Sequence, residues 1–580
     1  MESQSQPTLP QIAGIRLTPG LLLRFGLLLI FCLYLRDLRF EFVYDDLMIP
    51  ISPYNQSWHS VLQTFTNDVF SAMGERTTYY RPIATALGAS IALLTPGTSA
   101  WFHLAAILIH IALCVICFYF TRLLWNDDRF ALLTTMLFAL HPTKVECVAW
   151  VGSSLCDAQA AIYFFLVLTF YLHWFASRRA AWLCASCAIF LFAIFTKETM
   201  IVLPVLVAVH WVLNTAPGRR LGGMLALLSP YIAITGFYLF VRHLFVKPLP
   251  EASNAIHASF NLSNIYSAPS AFFWYVQRLF YPHDLAILYD WKAIERPDFF
   301  AFILPLIGGL AFIALIFLAW RQTCSWKLLF FAAWFILTLG PVIALAPSVT
   351  VHDRYLELAS YPFCALIAAA ILRFANSFRR GAIVFAFLLL AAYSVSTFHE
   401  ASYWHDSFSL WGRAVQVAPR NVIARSELAR LYAVSNPPNY AKSVAILDDG
   451  LRLLPDSPGL WRTRGLFLFN AGDYNGSSLS LHRSLVAADD YLHAHGSEPP
   501  DVHYGRATAE FFLGQIELVK GNAAAADTWL RKATRIEPDN VNFQQGMITA
   551  LRKQGKTEEA DQHEKIIRDL VERSTMKLPH

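Results

Sequence analysis

The sequence predicts an all-α protein in two parts: a polytopic membrane domain, then a polar array of paired helices. Three observations predict it. Of 580 residues, 56% are hydrophobic and only 15% charged, where an ordinary soluble chain carries about a quarter charged residues. Apolar runs of near-bilayer length recur through residues 1–400. From 401 to 580 the composition turns charged, Ala-rich and cysteine-free, and a repeat sets in. The boundary is therefore placed between 400 and 401.

Taken in order, residues 1–19 are polar and the run 20–36 is the first span, long enough to cross hydrocarbon. A polar-aromatic loop, 37–100, follows. Its apolar stretch after Tyr80-Arg81-Pro82 is broken by Gly88, Pro96 and Gly97, so it reads as helices lying in the interface. Further spans are expected at 102–123, 130–142, 158–175, 181–196, 199–215, 222–241, 300–320, 327–346, 357–373 and 381–398, about eleven in all. The segment 271–289 holds Arg278, Pro282, His283 and Asp284 and is read as an amphipathic interfacial helix.

Charge sets the orientation. With residue 1 inside, the short inner loops carry Arg122/Arg129, Arg178/Arg179, Arg219/Arg220, Arg321/Lys327 and Arg373/Arg379/Arg380, as the positive-inside bias requires. An odd span count then puts the region after 401 on the non-cytoplasmic side. The net charge of +5 is small and scattered, which excludes nucleic acid as a partner. Cys114/Cys117 and Cys184/Cys187 have CxxC spacing but lie inside apolar runs, so they are not read as a metal site.

In the second part, Leu513, Gly514, Gly521, Ala526, Leu530, Ala533 and Pro538 mark one unit, and Gly521 recurs as Gly555. An earlier unit shows Trp461, Gly465, Gly472 and Leu481. Small residues at such positions let paired helices approach, and Pro closes each unit. The period near 34 is the tetratricopeptide pattern, with three to four units and a polar insertion near 490–503.

On the outer face this topology gathers Asp45-Asp46, Arg81, His141-Pro142-Thr143-Lys144-Val145-Glu146, Asp157, Lys197-Glu198, Arg242-His243 and His352-Asp353-Arg354-Tyr355. Singly, each reads as a cap, a helix stop or a local ion pair. Ionisable groups at span ends are expensive unless they pair or line a cavity, and together they suit sugar transfer from a lipid phosphate. An acceptor hydroxyl needs a base, which a carboxylate supplies. A leaving phosphate needs Arg or Lys clamps. The chain offers a carboxylate pair, three cations (Arg81, Lys197, Arg354) and an imidazole, His141.

The order Asp45-Asp46, Tyr80-Arg81-Pro82, Phe102-His103, His141-Pro142-x-x-Val145-Glu146-x-Val148-Ala149-Trp150, Lys197-Glu198, Asp353-Arg354-Tyr355-Leu356 and then tetratricopeptide repeats resembles the TMTC-type proteins. These are protein O-mannosyltransferases of the C-type, multi-span (GT-C) glycosyltransferase superfamily. The resemblance implies a polyprenyl- or dolichyl-phosphate sugar donor and a Ser/Thr hydroxyl acceptor on a translocated protein, joined by a single inverting displacement. It implies the pair Asp45-Asp46 as catalytic carboxylates, with Asp45 favoured as base and Asp46 orienting it or the acceptor, and Arg354 on the donor phosphate; Lys197 and Arg81 are the further phosphate-binding cations expected from the residues. His141, Glu146, Glu198, Asp353 and Tyr355 are expected to line the site. Where the family often carries an Arg followed by an acidic residue, this chain reads Gly152-Ser153-Ser154-Leu155-Cys156-Asp157, which leaves the sugar open.

The repeats are expected to hold an extended acceptor polypeptide on a concave surface. The membrane is either a bacterial inner membrane, with the repeats in the periplasm, or that of the endoplasmic reticulum, with the repeats in the lumen. Paired carboxylates can hold a divalent ion, but inverting transfer of this type does not require one, and no metal site is assigned. Two other readings are an oligosaccharide ligase using a pyrophosphate-linked donor and a non-enzymatic membrane tether for the repeats.

Overall fold

The computed structural model describes residues 11–12, 15–16, 18–69, 79–216, 218, 220–246, 262–345, 351–496 and 498–575. It divides at Leu410/Trp411 into a membrane unit and a repeat unit. The compact membrane unit takes in the residues after 400 because the helix Arg379–Ala401 runs on past the last apolar run and Trp404 stacks on Trp150, with ring centroids 6.2 Å apart.

The membrane unit starts with α1 (Pro19–Tyr34), capped by Thr18, whose hydroxyl accepts from Leu21 N at 3.2 Å. Two short helices, α2 (Trp58–Gln63) and α3 (Pro82–Leu94), occupy the loop read as interfacial. Then come α4 (Ala100–Trp125), α5 (Asp128–Leu140), α6 (Val145–Ala149), α7 (Val151–Ser153) and α8 (Gln159–Ser177). His141-Pro142 ends α5, since Pro has no N–H to continue it. One wide turn, Ser154–Ala158, joins α7 and α8 into a single rod. There follow α9 (Ala180–Thr196), α10 (Leu203–Asn214), α11 (Arg220–Phe245), α12 (Leu262–Phe280), α13 (Leu304–Thr323), α14 (Trp326–Leu345), α15 (Leu356–Ala375) and α16 (Arg379–Ala401).

Each of the eleven apolar runs is helical. Among the described residues, seven helices are long and apolar enough to cross a membrane by length and composition. The others, such as α5 with 13 residues, are shorter than the roughly 20 residues a span needs. The amphipathic helix expected at 271–289 is corrected to Leu262–Phe280. Beyond it Pro282 interrupts and Asp284 takes a left-handed φ of 51°.

Aromatic rings fill the middle of the unit. Trp334 is fully buried between Phe164, at 4.8 Å, and Tyr361, at 4.9 Å. Its ring N–H donates to Leu358 O at 3.0 Å, and the Tyr361 hydroxyl bonds Thr121 at 3.0 Å, so the polar tips are satisfied as buried Trp and Tyr require. The basic inner-loop residues meet aromatic helix ends: Lys327 lies 4.4 Å from the Trp125 ring, and Arg178 lies 4.9 Å from Trp174 and 5.2 Å from Trp211. That is the interfacial arrangement of cations and aromatics expected at a membrane surface.

The repeat region begins with α17 (Ser407–Val417) and continues as four helical hairpins. These are α18 (Val422–Val434) with α19 (Tyr440–Leu453), α20 (Pro458–Asn470) with α21 (Tyr474–His495), α22 (Pro500–Val519) with α23 (Ala523–Ile536), and α24 (Val541–Lys553) with α25 (Thr557–Thr575). The turns at Gly472, Gly521 and Gly555 have φ of 82°, 84° and 74°, a region where only Gly is unstrained. The insertion near 490–503 is absorbed largely by lengthening α21 and α22. Successive hairpins share cores: Leu447 packs with Leu460, Leu481 with Leu513, and Leu530 with Leu551. Each hairpin thus completes its core against a neighbour, as the units of a solenoid do.

Candidate active site

The carboxylates sit on a tight turn, Tyr44–Met48, entered from the extended residue Val43. Tyr44 holds a left-handed φ of 55°, a conformation that costs an aromatic residue about 1–3 kcal/mol and clusters at functional sites. The turn sends the two acids to different surroundings. Asp45 is exposed; Asp46 is 1% exposed. Asp46 accepts from Gly152 N at 2.8 Å and from Val151 N at 3.1 Å. Those amides open the α7–α8 rod, and a helix N-terminus favours an anion. Burial nevertheless dominates: it pushes the Asp46 carboxyl up to about 8, with Asp45 adding to the rise and the two amides opposing it.

Gly152 is fixed by this contact. A Cβ there would stand 2.9 Å from Asp46 Oδ1. Gly152→Ala is expected to push Asp46 out of its amide cradle and lower catalytic turnover about 100-fold, the scale of a 1 Å misplacement. Turnover compared with the melting temperature of the same preparation checks it.

Arg354 is held from several directions. Its guanidinium Nη1 donates to Glu146 Oε1 at 2.8 Å and its backbone N to Glu146 Oε2 at 2.9 Å. Trp150 lies 4.8 Å and Tyr355 5.0 Å from the guanidinium carbon. Trp150 is in turn packed by Tyr44 and Trp404. Burial works against the Glu146 charge, but Arg354 and His352 beside it outweigh that and hold its carboxyl below the ordinary carboxylate range. Lys197, whose ammonium lies 5.7 Å from the same Tyr355 ring, pairs with Asp157, and Arg81 Nε donates to Glu198 at 2.9 Å. Burial would pull the Lys197 ammonium down, yet Asp157 more than offsets it and its proton is held more tightly than usual.

These groups border one cleft of about 830 Å³, within the range of small-molecule sites. Asp45, Asp46, Arg81, Lys197, Glu198, Arg354 and Tyr355 all line it. One wall is apolar, with Ile201, Leu239, Pro341 and Val342. Ile201 and Leu239 are also exposed on the outside of the unit, where the bilayer would lie.

Three residues expected to line the site do not. His141 is wholly buried, with Nε2 3.1 Å from Leu279 O, Nδ1 2.8 Å from the Thr143 hydroxyl, and Tyr393 packed edge-on. It fastens the end of α5 to α12. Glu146 stands behind Arg354 and reaches the cleft only through it. Asp353 turns away to accept from the Tyr289 hydroxyl. Lys197 and Glu198, adjacent in sequence, do not pair with each other but with separate partners. Arg242, Asp157 and Trp150 line the cleft without having been assigned a role. For Arg242 and Asp157 the signal was their place at outer span ends; for Trp150 it was the motif that begins at His141. Among the described residues, Cys147 and Cys156 are free thiols, and no group of three or more His, Cys, Asp or Glu is placed to hold a metal ion.

No family model matches the sequence. Among curated proteins, the human protein O-mannosyl-transferase TMTC2 is 27% identical over 175 residues, covering 27% of this chain and 20% of the relative. The Xenopus laevis tmtc2 enzyme is 27% identical over 168 residues, and human TMTC1 is 29% identical over 144 residues, covering 24% of this chain and 16% of the relative. The match thus spans about a fifth of the length of these relatives. Among solved structures, the apo oligosaccharyltransferase of Archaeoglobus fulgidus overlays 73% of this chain and 59% of its own, with a TM-score of 0.38 and 11% identity. MamA overlays 31% of this chain and 90% of its own, with a TM-score of 0.24 and 16% identity. Over about a quarter of its length, therefore, this membrane protein resembles the TMTC-type protein O-mannosyltransferases.

Proposed function

We propose that the chain is a GT-C glycosyltransferase that moves a sugar from a polyprenyl-phosphate donor to a Ser/Thr hydroxyl of a protein at the non-cytoplasmic face. The observation that carries the reading is the shared cleft: an exposed carboxylate, Asp45, and a tethered guanidinium, Arg354, border one space with an apolar wall. The named relatives are protein O-mannosyl-transferases, which supports sugar transfer to a protein.

In the proposed step, the acceptor O–H gives its proton to Asp45 as its oxygen bonds to the anomeric carbon. The bond from that carbon to the phosphate oxygen breaks, and the prenyl phosphate leaves with one more negative charge. Arg354 takes up that charge, assisted by Lys197 and Arg81, which line the same cleft. Groups already held in place cost no reorganisation when the charge develops. Asp46 stays behind Asp45 and orients it. The prenyl tail lies along Ile201, Leu239 and Val342. The repeats hold the acceptor as an extended segment.

The test is reconstitution of the full chain in lipid nanodiscs with undecaprenyl-phosphate mannose and a Ser/Thr-rich peptide. The expected product is a hexosyl peptide of anomeric configuration opposite to that of the donor. Retention of configuration, or no transfer from any prenyl-phosphate sugar, overturns the reading.

A further inference from the structure

A second ion pair lies beside the one that holds Arg354, and the chemistry above does not use it. Lys144 is wholly buried. Its ammonium donates to Glu357 O at 2.7 Å, to the Ser360 hydroxyl at 2.8 Å and to Glu357 Oε2 at 3.2 Å, and it lies 3.8 Å from the centre of the Phe138 ring. All three of its donors are therefore used. Lys144 does not line the cleft, so it cannot act on substrate directly.

The two pairs join the same two segments with opposite polarity. One segment carries the cation Lys144 and the anion Glu146; the other carries the cation Arg354 and the anion Glu357. A slip of one segment along the other would bring Lys144 toward Arg354 in one direction and Glu146 toward Glu357 in the other. Like charges in a dry interior repel strongly, so only one register is tolerated. A buried pair is a poor source of stability, because desolvation consumes most of the attraction. Its best-attested use is to specify an arrangement.

We propose that Lys144 and Glu357 are positioning residues that fix the register between segments 144–146 and 354–357, and so set where the Arg354 guanidinium stands in the cleft. The functional half of this rests on the phosphate role given to Arg354 above; the structural half does not.

The experiment uses the full chain in detergent and the double variant Lys144→Met/Glu357→Met, since apolar side chains of similar volume commonly replace a buried pair without unfolding. Two quantities are read: amide hydrogen exchange of residues 352–355, where Arg354 N bonds Glu146, and the binding of citronellyl phosphate. Exchange is expected to quicken about tenfold through local opening. Affinity is expected to fall about tenfold as Arg354 loses its placement, with the melting temperature unchanged. A folded double variant with wild-type exchange overturns the proposal. Should the double variant not fold, Glu357→Gln, which keeps shape and loses charge, decides on the same exchange readout. If exchange quickens while citronellyl phosphate binds neither protein, the register role stands and the phosphate role of Arg354 falls.

Discussion

Asp45→Asn is expected to lower transfer about 1,000-fold, within the range assigned to a positioned general base, and to leave the membrane unit folded. The substitution keeps the shape and removes only the ability to take a proton. Asp45 is exposed and lines the cleft, where a substitution of the same shape is accommodated. Asp46→Asn should behave differently. Both Asp46 oxygens receive backbone amides, and an Asn presents one oxygen and one NH2 to the same two donors. It is expected to cost stability as well as rate, because one buried amide loses its acceptor.

The pH dependence separates the two further. The Asp46 carboxyl is raised from 3.8 to about 8, chiefly by burial. A proton bound more tightly in the folded than in the unfolded state gives stability that is complete below 3.8 and lost as pH rises through about 8. Above that pH a second negative charge also appears beside Asp45, where an anionic donor must approach. The wild-type rate should fall on this limb, and Asp46→Asn should remove it. A pH–rate profile and melting curves from pH 5 to about pH 9 check both. A limb that persists in Asp46→Asn would assign the titration to another group.

Glu146→Ala is expected to be the most destabilising single change at the site. It removes the acceptor of two Arg354 donors and leaves a cation without its anion. Breaking a buried pair in this way costs about 3–5 kcal/mol. The lower end is expected here, because the Arg354 side chain is 17% exposed to the cleft. Loss of the clamp should also reduce turnover about 100- to 1,000-fold. Glu146→Gln keeps an acceptor for Arg354 N and should recover much of the melting temperature but little of the rate. Equal recovery of both would make Glu146 a stability residue only.

Much of the fold is legible in the sequence because bilayer length and helical repeat are strong periodic signals. Every apolar run became a helix, and Gly472, Gly521 and Gly555 fell at the turns of the repeat while Gly465 and Gly514 fell inside helices. The candidate site was legible to the extent that it sits at span ends: span counting groups Asp45, Arg81, Lys197 and Arg354, and these four line one cleft. What span counting could not show was side-chain partnership across long separations. Glu198 reaches Arg81 across 117 positions and Glu146 reaches Arg354 across 208, and no local pattern encodes either. His141 was misplaced because its partner, Leu279 O, lies at the end of a helix expected to run on to 289. Trp404 belongs to no apolar run, so its packing on Trp150 had no signature.

Although its Phe312 meets Phe272, the helix that contains α13 has no fully buried residue in its most apolar stretch. Its 25 residues extend about 37 Å at 1.5 Å per residue, against a hydrocarbon thickness of about 30 Å. Acyl chains, not neighbouring helices, therefore supply most of its packing, and it must lean to hide its length. Thickening or thinning the surrounding lipid would act on this protein first through the lean of that one rod.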